Sequence, residues 1–132
     1  MTLSRTAIVA MVCALAAHGV ARARADVVVI DNHRTVEVDC AKDPAVRLIG
    51  NHLTVTARGV CAKITISGNH ATVAGSAVEV RVTGNHNTLT LAAADDILVD
   101  GNSNTVAVKK AVKLAAPRAT DSGSANQITV PR

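Results

Sequence analysis

Hydrophobic and polar positions alternate along this chain in short paired runs that flank a recurrent polar corner. Before each corner, Val46 and Leu48, Ile64 and Ile66, Val80 and Val82, and Ile97 and Val99 fall on one side. Arg47, Thr65 and Arg81 fall on the other, with Leu98 an exception. After the corner, Val55, Val73, Leu89, Val106 and Ile128 alternate with Thr35, Thr54, Thr72, Thr88 and Thr105 as the opposite set. A period of two marks half-buried strands. The stretch Val80–Leu91 is the clearest copy of the unit: alternating strand, four-residue turn, alternating strand. From position 26 onward no segment carries a helical period, and Lys109–Ala116 is the one place where a short turn of helix fits.

The corners align on Gly-Asn. A degenerate first copy, Asp31-Asn32-His33, is followed by Gly50-Asn51-His52, Gly68-Asn69-His70, Gly84-Asn85-His86 and Gly101-Asn102-Ser103, and by a decayed Gly123-Ser124-Ala125. Glycine permits positive φ, and asparagine tolerates the left-handed region better than most residues. In a stacked array Asn32, Asn51, Asn69, Asn85 and Asn102 would form one column. Two architectures fit: a parallel β-solenoid with one corner per coil, or a run of antiparallel hairpins, since Gly-Asn is also a hairpin signal. The solenoid is preferred. The second connection in each repeat (Ala57–Ala62, Ala74–Ala77, Ala92–Asp96) has no matching turn signature. The chain also has no Phe, Tyr or Trp, and a thin interior of small aliphatics suits stacked coils better than a two-sheet sandwich. The reading is therefore all-β: a parallel β-solenoid (β-helix-like) of about five to six short coils with G-N-x-N corners. Lys109–Ser122 reads as a loop or cap before a final strand, Gln127–Val130.

The first 25 residues fall outside the repeat. Arg5, an apolar run from Ala7 to Ala17 and Ala23-Arg24-Ala25 before Asp26 have the order of a cleavable signal peptide. The division expected is 1–25 leader and 26–132 solenoid domain, exported, periplasmic or secreted, with no transmembrane segment after cleavage. Loss of Arg5, Arg22 and Arg24 takes Lys plus Arg from 14 to 11 against 10 acids, a net charge of +1. The remaining chain offers only Lys109, Lys110 and Lys113 as a basic cluster, so nucleic acid is not an expected partner. Cys40 and Cys61 are left as a pair. They lie 9 and 11 residues past the starts of successive corners, which brings them together in stacked coils and predicts a disulfide in an oxidising compartment.

The repeated corners, the V-x-V strands and the two cysteines about the first full Gly-Asn corner together resemble bacterial exported proteins of domain of unknown function 3060 (DUF3060). The resemblance covers Val28 to Val130. It implies export and a repeat fold, and it implies no activity, substrate or catalytic residue. Usual corners of that family are rich in Asn or Ser, whereas four corners here carry His.

Those four, His33, His52, His70 and His86, are the sharpest candidate chemistry. Stacked coils would set them in a ladder able to share a transition metal such as Zn or Cu, although no H-x-x-x-H or C-x-x-C spacing accompanies them. Otherwise they are polar corner residues alternating with Ser103 and Ala125. The Thr column suggests an ice-binding surface, but the next outward row, Glu37, Thr56, Ala74, Thr90, Ala107 and Thr129, is mixed. Asp95, Asp96 and Asp100 form the one acidic cluster without an aromatic platform for a glycosidase-like site, and adjacent Asp residues there read as loop residues. Gly50, Asn51, Gly68, Asn69, Gly84, Asn85, Gly101 and Asn102 are read as structural turn residues. The expected function is that of a non-enzymatic β-solenoid, a structural or binding module of the cell envelope or extracellular space. No resident cofactor is expected unless the His ladder holds metal, and its partner, in the envelope or elsewhere, is unknown.

Overall fold

The computed structural model of the chain describes residues 26–42 and 44–132; the expected leader, 1–25, lies outside the described residues. Nine strands occur among these: β1 (Val27–Ile30), β2 (Thr35–Asp39), β3 (Ala45–Ile49), β4 (Thr54–Ser67), β5 (Thr72–Thr83), β6 (Thr88–Asp100), β7 (Thr105–Val108), β8 (Arg118–Asp121) and β9 (Gln127–Thr129). Every pairing between them is parallel. The chain is a β-solenoid of about six turns, and the hairpin alternative falls away.

Each coil has one flank before its corner and one after it. Before the corner, β1, β3, the second halves of β4, β5 and β6, and then β8 stack in order. After the corner, β2, the first halves of β4, β5 and β6, then β7 and β9 do the same. Parallel stacking in register places like on like, so the alternation within each strand becomes a set of continuous columns. Leu48, Ile66, Val82 and Val99 make one interior column, and Val55, Val73, Leu89 and Val106 another; all are essentially inaccessible. Burying each such side chain fully is worth about 1.5–3 kcal/mol. A single coil has too little interior to fold alone, and the neighbours above and below supply the rest.

The second bend departs from expectation. Ala57–Ala62, Ala74–Ala77 and Ala92–Asp96 are not loops; β4, β5 and β6 run through them as long strands of 14, 12 and 13 residues. Their pairing slips at Thr56/Val60 and at Gly75/Ser76 and then resumes. The bend is tight enough to require small residues: a Cβ on Gly75 would lie 2.7 Å from that of Ala57 in the coil before. Backbone groups here meet the same stretch of the adjacent coil, so the hydrogen-bond ladder continues around a turn that carries no turn motif.

Cys40 and Cys61 are buried and joined in a disulfide, with Cα atoms 4.8 Å apart. Cys61 stacks on Ala77 and Ala77 on Ala94, so the bridge crowns a column of small side chains. It closes a loop of sequence separation 21, worth roughly 3 kcal/mol.

The C-terminal coil corrects two expectations. Lys109–Ala116 forms bends rather than a turn of helix, and Arg118–Asp121 is a strand, β8, rather than part of a loop. The final strand ends at Thr129, before Pro131, which has no N–H to donate.

Candidate functional site

The corners carry the densest polar chemistry of the molecule, and they are built by two backbone features. Glycine comes first because the preceding coil leaves no room for a side chain. Gly84 has φ +131°, and a Cβ on it would lie 1.9 Å from the carbonyl oxygen of Gly68. The left-handed residue is the third of the corner, not the asparagine: His33, His52, His70, His86, Ser103 and Ala125 have φ between 55 and 58°. Histidine is among the few non-glycine residues enriched in that region. Its φ aims the imidazole outward, and its backbone N–H bonds the Asn carbonyl of the next coil, as from His86 to Asn102 at 3.1 Å.

The four imidazoles stack as expected from their common place in the repeat. Ring centroids are 4.6 Å apart for His33–His52, 4.9 Å for His52–His70 and 5.0 Å for His70–His86, with interplanar angles of 5 to 15°. All four are exposed. Lone pairs of stacked parallel rings lie in the ring planes and so point side by side. Two Zn–N bonds of about 2.1 Å span at most ~4.2 Å, less than these centroid separations, so a shared ion would require two rings to turn toward each other. Among the described residues no group of three or more His, Cys, Asp or Glu side chains is arranged to hold a metal.

Asparagine forms two ladders where one was expected. In the outer ladder each Asn donates its backbone N–H and side-chain amide to the Oδ1 of the preceding coil, from Asn51 to Asn32, Asn69 to Asn51 and Asn85 to Asn69 at 2.9–3.3 Å. Asn102 continues it through its backbone N–H. The inner ladder uses the residue after the left-handed one. Asn87 and Asn104 are wholly inaccessible. Asn87 donates its N–H and Nδ2 to Asn104 Oδ1, and Asn104 does the same to Asn126 Oδ1, at 2.8–3.1 Å. The second Nδ2 hydrogen of each goes to a glycine carbonyl, Gly68 for Asn87 and Gly84 for Asn104. This ladder runs in the opposite sense to the outer one and ends on a carboxylate, Asn126 Nδ2 donating to Asp121 Oδ1 at 2.6 Å. In the earlier coils the same position is Leu53 and Ala71, buried and apolar. The repeat contained the signal, a second Asn in G-N-H-N and G-N-S-N, but periodicity alone does not say that it points inward.

Asp95, expected to be a loop residue, is a buried anchor, 2% exposed within β6. Its carboxylate accepts the backbone N–H groups of Val112, Lys113 and Leu114 at 2.7–3.2 Å. Burial pushes the carboxyl up, but those three donors and the Lys113 charge together outweigh it, and the group is held below the usual carboxylate range. This clamp fastens Lys109–Ala116 onto the solenoid. Asp96 faces outward and pairs with Arg118 at 2.9 Å.

On the flank after the corner, Thr35, Thr54, Thr72, Thr88 and Thr105 form an exposed in-register row that Gln127 ends. The next outward row mixes Glu37, Thr56, Ala74, Thr90, Ala107 and Thr129.

Two overlapping stretches, 48–95 and 69–125, match the family model described as protein of unknown function (DUF3060). Together they cover more than half of the chain. No curated protein and no solved structure matches it.

Proposed function

The chain belongs to the DUF3060 family, and from that membership and the stacked architecture we propose that it is an exported, non-enzymatic solenoid serving as a structural or binding module of the cell envelope or extracellular space. The observation that carries this reading is the Cys40–Cys61 disulfide: a buried bridge between the first coils suits an oxidising compartment, where such bonds persist. The asparagines that repeat are spent on the fold itself, in the Gly-Asn corners and the two amide ladders, while the repeating His and Thr rows stay exposed, which suits a scaffold that presents faces rather than one that gathers a reaction centre. The test is to express the full chain in a cell with an export pathway, fractionate it, and determine the N-terminus and thiol state by mass spectrometry. Export predicts a chain beginning at Asp26 with Cys40 and Cys61 linked. Full-length protein retained inside with both thiols free would overturn it.

The in-register imidazole stack favours a second reading, in which the His column binds Zn²⁺ or Cu²⁺. Exposed rings are free to turn, and an ion held between two of them would need only χ rotations. Titrating either ion while following the four imidazoles by NMR tests it. Binding must weaken in a His52→Asn/His70→Asn variant, which keeps a polar corner; equal binding by that variant rejects the site.

A further inference from the structure

The outer face of the flank before the corner concentrates cations that neither the core nor the ladders use. Arg47, Thr65 and Arg81 are register partners on β3, β4 and β5, so the two guanidinium stems leave the sheet two strands apart, about 9.6 Å at ~4.8 Å per strand. Both arginines are exposed, and neither has a carboxylate partner among the described residues. Lys63 stands beside them but is partly neutralised by Glu79 at 2.8 Å. These side chains border an open cleft of about 410 Å³ whose floor adds the hydroxyls of Thr65, Ser67 and Thr83. Its rim holds one carboxylate, Asp26.

The cations stop after Arg81. In the next coil its column continues as Leu98, and the Lys63 column continues as Glu79 and Asp96. The positive lobe is therefore two anions long and is closed on its C-terminal side by carboxylates. Guanidinium groups bind carboxylate and sulfate through paired N–H donors, and hydroxyls between them can hydrogen-bond uncharged ligand groups. With no Phe, Tyr or Trp in the chain and no His lining the cleft, neither sugar stacking nor base stacking contributes there. A stretched ligand with anions at a regular interval fits, and a single-stranded nucleic acid, which relies on stacked bases, does not.

We propose that this cleft binds an acidic polysaccharide lying along the solenoid axis, its carboxylate or sulfate groups gripped by Arg47 and Arg81 and its hydroxyls by Thr65, Ser67 and Thr83. The inference rests on the binding-module reading and names its ligand class. That reading fails or stands by export and thiol state, which are measured separately.

The experiment is fluorescence-anisotropy binding of labelled oligosaccharides to the protein purified after expression of the full chain, with its disulfide intact. One arm uses a uronate oligomer, another a sulfated oligomer, with a neutral oligomer of equal length and single-stranded DNA as comparisons. Binding in either anionic arm identifies the anion. Arg47→Ala and Arg81→Ala should each weaken it about tenfold, as expected for a lost charged hydrogen-bonding group, with circular dichroism unchanged because both side chains are exposed. Asp26→Asn should tighten it, and raised salt should weaken it. A Lys109→Ala/Lys110→Ala variant, altered in the distant loop, should bind as the unmodified protein does. Absence of binding in both anionic arms, DNA binding as tightly as either oligosaccharide, or arginine variants that bind unchanged would overturn the proposal.

Discussion

The two ends of the solenoid solve the same problem with different chemistry. In the coils around Cys40 and Cys61, the position under the corner is Leu53 or Ala71, and the stack is closed by a covalent bond. In the coils after Thr83, that position is Asn87, Asn104 or Asn126, and the stack is closed by hydrogen bonds ending on Asp121. The apolar version is held by burial, which is indifferent to orientation. The amide version is directional and stabilises only while every rung is present, since each buried amide depends on its neighbour's oxygen. Asp121 also stands where Val99 stood one coil earlier. A charge at the head of an interior column deters another strand from adding there. The last coil is thus terminated by polarity, while the first coils are secured by a disulfide.

The largest expected effects test what both ends share. Gly84→Ala places a methyl 1.9 Å from a backbone oxygen that cannot move without breaking its coil, and it should leave no cooperative unfolding transition in a thermal melt. Val82→Asp puts an unpaired charge among aliphatics and should cost several kcal/mol in urea unfolding, whereas Arg81→Asp, one residue away on the outer face, should change stability little. Equal effects would mean that the two faces are misassigned.

Next come substitutions that separate the ends. Asn104→Leu copies the apolar solution into the amide end. It leaves Asn87's N–H and Nδ2 and the Gly84 carbonyl without their partner, and should cost about 3–9 kcal/mol at 1–3 kcal/mol for each of the three orphaned groups. Reduction of Cys40–Cys61 should cost roughly 3 kcal/mol. Hydrogen exchange should then quicken in β1, β2 and β3 while Asn87 and Asn104 amides stay protected; uniform loss of protection would mean that the ends are not energetically distinct.

Smaller effects follow from Asp95. Its folded pKa lies below its unfolded value, so its contribution is complete above the unfolded pKa and disappears as pH falls through the folded one. The amides of Val112, Lys113 and Leu114 should lose exchange protection on acidification below the usual carboxylate range, and at neutral pH in Asp95→Ala. Protection that persists at low pH would show that the loop is held otherwise. Smallest of all, Ala71→Asn should be near neutral or slightly stabilising, because its amide can add a rung by donating toward Asn87 Oδ1, which already accepts the Ala71 N–H.

Much of the fold could be read from one dimension because a parallel solenoid repeats its lateral neighbours at a near-constant step. Alternation assigned Val82 inward and Arg81 outward. The offsets of Cys40 and Cys61 within successive repeats paired them, and the shared place of four His in the corner put them in one stack. These follow from sequence alone, since local periodicity sets the face of a strand and equal position in a repeat sets the neighbour. What the sequence could not decide depends on atoms that meet only after stacking. The left-handed residue of the corner is His, not Asn, and its N–H reaches the Asn carbonyl of the next coil, a partner that exists only in the stack. Asn87 points inward and Asn85 outward although both are Asn, because only the folded corner has an inside. The second bend remains a strand because its backbone partners lie a full coil away. Asp95 became an anchor through three amides 17 to 19 residues later. Arg47 and Arg81 became a cleft only when Thr65 came between them. Local pattern specifies direction along the chain; the identity of a partner across the stack is a property of packing.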